Sequence, residues 1–146
     1  MLGSVARMAG DELAAARIGR PYQTKDDEYE QSDFSDTTHL DVLHNVAGLA
    51  NIAAGAYVGT DGKLKVLGVG LVALADKVSA ERGEKMREAV NGTMKAVRAL
   101  ETPFDKEIAG EDSAPGRVRV KAVIDALNAF SLEVQALAGD LGLELK

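Results

Sequence analysis

The chain has no cysteine, no tryptophan and only two histidines. Without cysteine there is no disulfide and no thiolate metal site, while the redox compartment stays open. Aromatic residues make up 4% of the sequence and hydrophobic residues 46%, much of that alanine. A core of small and aliphatic side chains suits closely packed helices. Positive charge is also in deficit. The formal net charge is −6, whereas a sequence-independent nucleic-acid binder carries a basic surface, so no nucleic-acid partner is expected. No apolar run reaches the roughly 18 residues that mark a membrane span. The stretch VLGVGLVALA (66–75) is too short and glycine-rich for one. The N-terminus, MLGSVARMAGDELAAARIGR, has no basic leader followed by an apolar segment and does not read as a secretory signal. It reads as an amphipathic helix starting almost at the first residue, which suggests a piece of a longer protein.

The length, 146 residues, fits one domain spanning 1–146, large enough to bury roughly 70% of its unfolded surface. Periodicity predicts helices throughout. Residues 3–18 place Val5, Met8, Leu13 and Ala16 on one side. A polar stretch without periodicity follows at 19–38, long for a compact domain and so expected to be functional or disordered. Residues 39–57 repeat Leu43, Val46, Ala47, Ala50, Ala53, Ala54 and Tyr57 at steps of three and four, with Gly48 and Gly55 leaving room for close backbone approach. GTDGK (59–63) is a turn. Residues 69–79 read as a short buried helix. Residues 81–101 carry Met86, Val90, Met94 or Thr93, Val97 and Leu100 on one face. Thr102 and Pro103 read as cap and first residue of a further turn. The last helix, about 117–140, carries Val120, Val123, Ile124, Leu127, Phe130, Val134, Leu137 and Leu141. No β-alternation competes with this reading. The expected class is all-α: an antiparallel helical bundle of about four main helices, with short extra helices and one long polar loop.

Both histidines lie in FSDTTHLDVLHN (34–45), with Asp36 and Asp41. Carboxylate and imidazole together suit iron or zinc. Asp41 and His44 share a helix face, but His39 and His44 stand about 140° apart around a helix, so they do not chelate one ion together. The simpler reading makes Asp36, Thr37 or Thr38 a helix cap and Asp41 a complement to the helix dipole. The spacing leaves both readings open. The acidic run DDEYE (26–30), with Asp33, is a solvated face or a cation attractor, and it lacks the calcium-loop pattern. GVG (68–70) is no dinucleotide fingerprint, and G-x-S-x-G is absent. Met86 and Met94 read as core filling. Arg117, Arg119 and Lys121 read as an exposed cluster too small for nucleic acid.

At FSDTTHLDVLHNVAGLANIAAGAY the chain resembles the imelysin family of bacterial envelope proteins, which includes iron-regulated members and a proposed metallopeptidase. Glu30, Ser32, Phe34, Ser35, Asp36, Thr38, His39, Asp41, Asn45, Gly48, Asn51, Gly55 and Tyr57 stand where that family's pattern wants them. Upstream, Gly10, Glu12, Leu13, Ala14 and Arg17 resemble its G-x-E-L-A-x-x-R helix. Downstream, Pro103, Phe104, Asp105 and Ile108 resemble its P-F-D-x-x-I element, and LAGDLGLEL resembles its C-terminal pattern. Gln31, Asp33 and Thr37 depart from it. The family's G-x-H-x-x-E element is absent from this sequence.

The resemblance implies the C-terminal half of an imelysin-like protein, linked to iron uptake or metal binding in the periplasm or cell envelope. In the family the proposed site lies between two bundles, and the F-S-D-x-T-H segment faces it. His39 and Asp36 are therefore the first candidate ligands for iron or another divalent metal, joined by Glu30 and Asp41, with Asp105 added from its motif position alone. The implied partner is the complementary N-terminal half, or a second copy. Peptidase activity would need a metal-activated water and a general base. With H-x-x-E absent, this chain alone is expected to be inactive. A structural helical module docking on a partner is the remaining alternative.

Overall fold

The computed structural model describes residues 1–59 and 61–145. The chain is all-helical apart from one small hairpin. Its elements run α1 (Leu2–Arg7), a π-helical stretch (Met8–Gly19), α2 (Arg20–Thr24), α3 (Thr38–Ala54), β1 (Ala56–Val58), β2 (Leu64–Leu67), α4 (Leu71–Val78), α5 (Ala80–Arg98), α6 (Phe104–Ile108) and α7 (Pro115–Asp140). Four long helical segments build the bundle: the continuous run from α1 to α2, then α3, α5 and α7. Among the described residues, no helix is long and apolar enough to cross a membrane.

Helix α7 is the axis. It packs against the first helical run, α5 and α6, while α3 packs against α5. Its buried residues, including Val120, Val123, Leu127, Phe130, Val134 and Leu137, follow the three-and-four stripe read from the sequence. Polar contacts fix the directions. Arg82, early in α5, bonds Asp140 at the end of α7, while Thr93, later in α5, donates to the Ala126 carbonyl earlier in α7. Ser131 donates to the Ala6 carbonyl, and Arg117 to that of Tyr22. Both neighbours therefore run antiparallel to α7.

The expected boundaries shift in several places. The first helix continues to Thr24, so the polar connection is shorter than 19–38 and itself contains two single 3-10 turns, Asp27–Tyr29 and Asp33–Ser35. The π winding, in which the Arg20 N–H reaches the Ala15 carbonyl five residues back, moves the buried positions to Ala9, Leu13, Ala14 and Ile18. Those steps of four to five differ from the 3.6 spacing assumed, and Ala16 is exposed. Helix α3 ends at Ala54 because Gly55 turns left-handed (φ 68°). Its buried face is Thr38, Val42, Val46, Leu49 and Ala53, and Tyr57 falls on a strand rather than on the helix. Gly48 faces open space, whereas Gly55 makes the close approach expected of it.

Residues 56–67 form an antiparallel hairpin that the sequence reading missed, with Ala56 opposite Leu67 and Tyr57 opposite Val66. The expected turn lies at its tip, where Thr60 is outside the described residues. Helix α4 buries only Leu71 and Ala75, not its whole surface. Pro103 precedes α6 instead of opening it. The basic cluster is not all exposed, because the Arg117 side chain is buried.

Leu127, fully enclosed, and Leu132, exposed on the same helix, make a matched pair. Leu127→Ala should cost about 2–5 kcal/mol in denaturant unfolding, whereas Leu132→Ala should stay within about 0.5 kcal/mol. Equal losses would show that α7 is turned about its axis relative to this description.

Candidate functional site

The site is assembled where the loop after α2 crosses the start of α3 and meets α6. Lys25 ends α2 in a left-handed conformation (φ 57°), and its ammonium donates to the Gly110 carbonyl at 2.7 Å. The Asp26 carboxylate then caps the next turn by accepting the Glu28 N–H at 3.1 Å. The Arg20 guanidinium lies 3.7 Å over the Tyr29 ring and ties that turn back to α2. The second turn is bound to α3. The Ser32 N–H donates to the Thr38 hydroxyl at 3.1 Å, and the Ser32 hydroxyl donates to the Asp41 carboxylate. The Ser35 and Thr37 hydroxyls share a hydrogen bond of 2.7 Å.

These bonds displace the expected capping scheme. Thr37 occupies the position before α3, but its side chain makes no cap bond. Asp36 is exposed, with a left-handed backbone (φ 51°), and closes the preceding turn instead. Thr38 is buried in the first turn of the helix and holds Ser32. Asp41 sits in that first turn, as the dipole favours, and is also engaged by Ser32.

Three polar atoms in this region are buried without a hydrogen-bond partner: Oε1 of Glu30, Nδ1 of His39 and Oδ1 of Asp105. They come from the loop, from α3 and from α6. Native interiors leave few such groups, because each costs about 1–3 kcal/mol unless something satisfies it. Glu30 is strongly perturbed. Burial raises its pKa from 4.5 to about 7; the carboxylates of Asp105, Asp33 and Asp27 push the same way, and the Thr38 hydroxyl opposes them. Near neutral pH the Glu30 carboxyl therefore holds or releases a proton readily, inside an acidic surround.

Of the four residues singled out as ligands, Glu30 and His39 carry unpartnered buried atoms, Asp41 is bonded to Ser32, and Asp36 points into an exposed turn. Asp105, added from its motif position, joins the first two in lacking a partner. His44 is exposed on another face of α3, as its five-residue offset from His39 requires. Among the described residues, no three His, Asp or Glu side chains stand close enough together to hold a metal ion. Taken alone, the donors of this chain do not fit a closed metal site.

The sequence reading did not see what holds α6 here. The buried guanidinium of Arg117 donates at 2.8 Å both to the Tyr22 carbonyl and to the Ile108 carbonyl. It also bonds Asp112 and lies 3.9 Å over the Tyr22 ring. The signal was present, because Arg117 precedes Val120 by three residues and so belongs to the buried stripe of α7. Two residues on, Arg119 forks onto the buried Glu107 carboxylate at 2.5 and 2.8 Å, which holds that carboxyl below the usual range.

The raised Glu30 pKa gives a testable sign. From pH 4.5 upward the unfolded chain releases a proton that the folded chain keeps, so stability falls as pH rises to about 7 and is level beyond. Glu30→Gln removes this dependence. Its melting temperature relative to the parent should climb across that window and be flat on either side. A difference that does not vary with pH would mean that Glu30 titrates as an ordinary exposed carboxyl.

A family model described as Imelysin (Peptidase_M75) matches residues 1–133 of the chain. No curated protein matches it.

Proposed function

The chain belongs to the imelysin family, and from that premise we propose that it is a ligand-binding domain of an iron-linked protein of the bacterial cell envelope. Its ligand face is built on Glu30, His39 and Asp105, with Asp36 and Asp41 at the margin. The observation that carries this reading is three unpartnered buried polar atoms, on the loop, on α3 and on α6, two of which, on Glu30 and Asp105, belong to carboxyls close enough to perturb one another. Such atoms are retained at a cost, and a ligand or a facing surface would repay it. The surround is carboxylate-rich, so the ligand chemistry is cationic, with a divalent metal such as iron as the first candidate.

Because no three donors of the described residues converge, the reading requires groups from a second surface. The family's complementary half, which carries the G-x-H-x-x-E element, is the partner that fits. His39, Glu30 and Asp105 would then supply one side of a shared site, and the loop from Asp26 to Thr37 would form the rim. A peptidase reading is weaker for this chain, which lacks the H-x-x-E element that could supply metal ligands and a general base.

Calorimetric titration with ferrous iron, manganese or zinc, with and without a protein carrying the complementary half, tests the proposal. Binding should be at least tenfold tighter in the mixture, and His39→Ala should weaken it at least tenfold while lowering stability far less than Leu127→Ala. Metal binding that ignores His39, or a His39→Ala variant as unstable as Leu127→Ala, would make His39 a core residue. The chain alone should cleave no unfolded peptide substrate. Chelator-sensitive turnover at catalytic rates would favour the peptidase instead.

A further inference from the structure

The loop after α2 concentrates the charge of the molecule. Residues 26–36 hold Asp26, Asp27, Glu28, Glu30, Asp33 and Asp36 and no basic residue, while the rest of the chain carries 17 acidic and 17 basic residues. The whole formal net charge of −6 therefore belongs to this one loop. In it stands Phe34, the most exposed large apolar side chain among the described residues. The turn that carries it is not loose. The Asp36 N–H closes it on the Asp33 carbonyl at 3.1 Å. On one side, the Ser32 N–H and hydroxyl are bonded to Thr38 and Asp41 of α3. On the other, the Ser35 hydroxyl is bonded to that of Thr37 at 2.7 Å. With the backbone tied down on both sides, the ring is held in water and forgoes the burial that an aromatic side chain gains elsewhere. An apolar group fixed in that way is pre-organised for a pocket on another molecule. The turn also borders the ligand face: Thr38, which holds it, precedes His39, and the Asp33 carboxylate is among those that act on Glu30.

We propose that Phe34 is the anchor by which this face docks on a second protein, whose surface offers an apolar pocket rimmed by lysine and arginine. The inference rests on the preceding reading, in which the ligand face needs a second surface, and adds the chemistry of that surface. Charge complementarity selects the occupant. Nucleic acid and an anionic membrane are repelled by a loop of this sign. A second copy presenting the same loop would set six carboxylates against six. A free metal ion gives the ring nothing to pack against. A folded, basic partner supplies cavity and cations together. In such an interface a central aromatic side chain in a dry pocket holds the complex, while the charged rim steers its approach.

Phe34→Trp tests the premise in the chain alone, which has no tryptophan. Its emission should be that of an indole in water, and an emission already shifted to the blue overturns the proposal. Association is then measured by surface plasmon resonance against a protein carrying the complementary half, in chelator, so that no metal bridges the two. A complex should form. Phe34→Ser should weaken it about tenfold or more with circular dichroism unchanged, Phe34→Leu should keep most of the affinity, and Leu132→Ser, at an exposed position of α7, should alter it less than about twofold. The association rate should fall roughly fivefold or more between about 20 and 500 mM salt, and less steeply for the Asp27→Asn/Glu28→Gln chain. A complex indifferent to Phe34, a rate indifferent to salt, or no complex in chelator overturns the proposal. If metal still binds tighter in the mixture, the shared-site reading stands without it; if it does not, that reading falls on its own evidence.

Discussion

The arrangement at one end of the bundle depends on a buried cation. Arg117 is 3% exposed, and a guanidinium taken out of water is costly unless its donors are met. Here they are met mainly by backbone. Two carbonyls, at the end of α2 and the end of α6, receive the same terminal nitrogen, and the Tyr22 ring covers the cation's face. The one anionic partner, Asp112, is itself largely in water, so the ion pair contributes less than the carbonyls do. The consequence is geometric. Carbonyls from segments far apart in sequence must converge on one planar group, and this fixes where α2 stops and where α6 lies. The Lys25 ammonium on the Gly110 carbonyl adds a second tie across the same seam. Glu30 leaves from one side of that seam and Asp105 from the other, so their proximity follows from how Arg117 is satisfied.

The parts of the fold that were legible in the sequence are those set by a single helix. The stripes of α5 and α7 survive almost residue for residue, because each helix buries one face against a long neighbour and the 3.6 period is undisturbed. What was not legible depends on departures from that period or on partners elsewhere. In the first helix the π winding redistributes the buried positions, and nothing in Ala9, Leu13 or Ala14 as residue types announces it. The hairpin was missed for a different reason. Leu64-Lys65-Val66 alternates, and a Gly-containing turn precedes it, which is a strand signal. But Tyr57 also continues the three-and-four spacing of α3, and the helical reading absorbed it. Gly55, at positive φ, decided between the two.

The candidate site divides the same way. His39 and Glu30 were reached through residue type and motif, and Asp105 through motif position alone. None of the three could be recognised as a buried, unpartnered group before the loop, α3 and α6 were placed together, because burial is a tertiary property. Asp36 shows the converse. It matches the motif as well as His39 does, yet a left-handed backbone at the end of a short turn leaves its carboxylate in solvent. The same backbone conformation also removes it from the helix-capping role that its position suggested.

Helix α3 therefore has two ends of opposite character. At its start, Ser32, Thr38 and Asp41 hold an acidic loop in which Oε1 of Glu30 is buried without a partner. At its end, Gly55 and Gly70 lock an apolar ribbon outside the bundle. The two ends call for different complements: polar and cationic at the first, apolar at the second. Few residues link them, since the middle of α3 is occupied by Val42, Val46 and Leu49 packed into the core. A rigid, well-packed helix between two unsatisfied ends keeps each one's geometry independent of what covers the other. That separation is why the geometry at the Glu30 end and the geometry at the hairpin end can be altered one at a time.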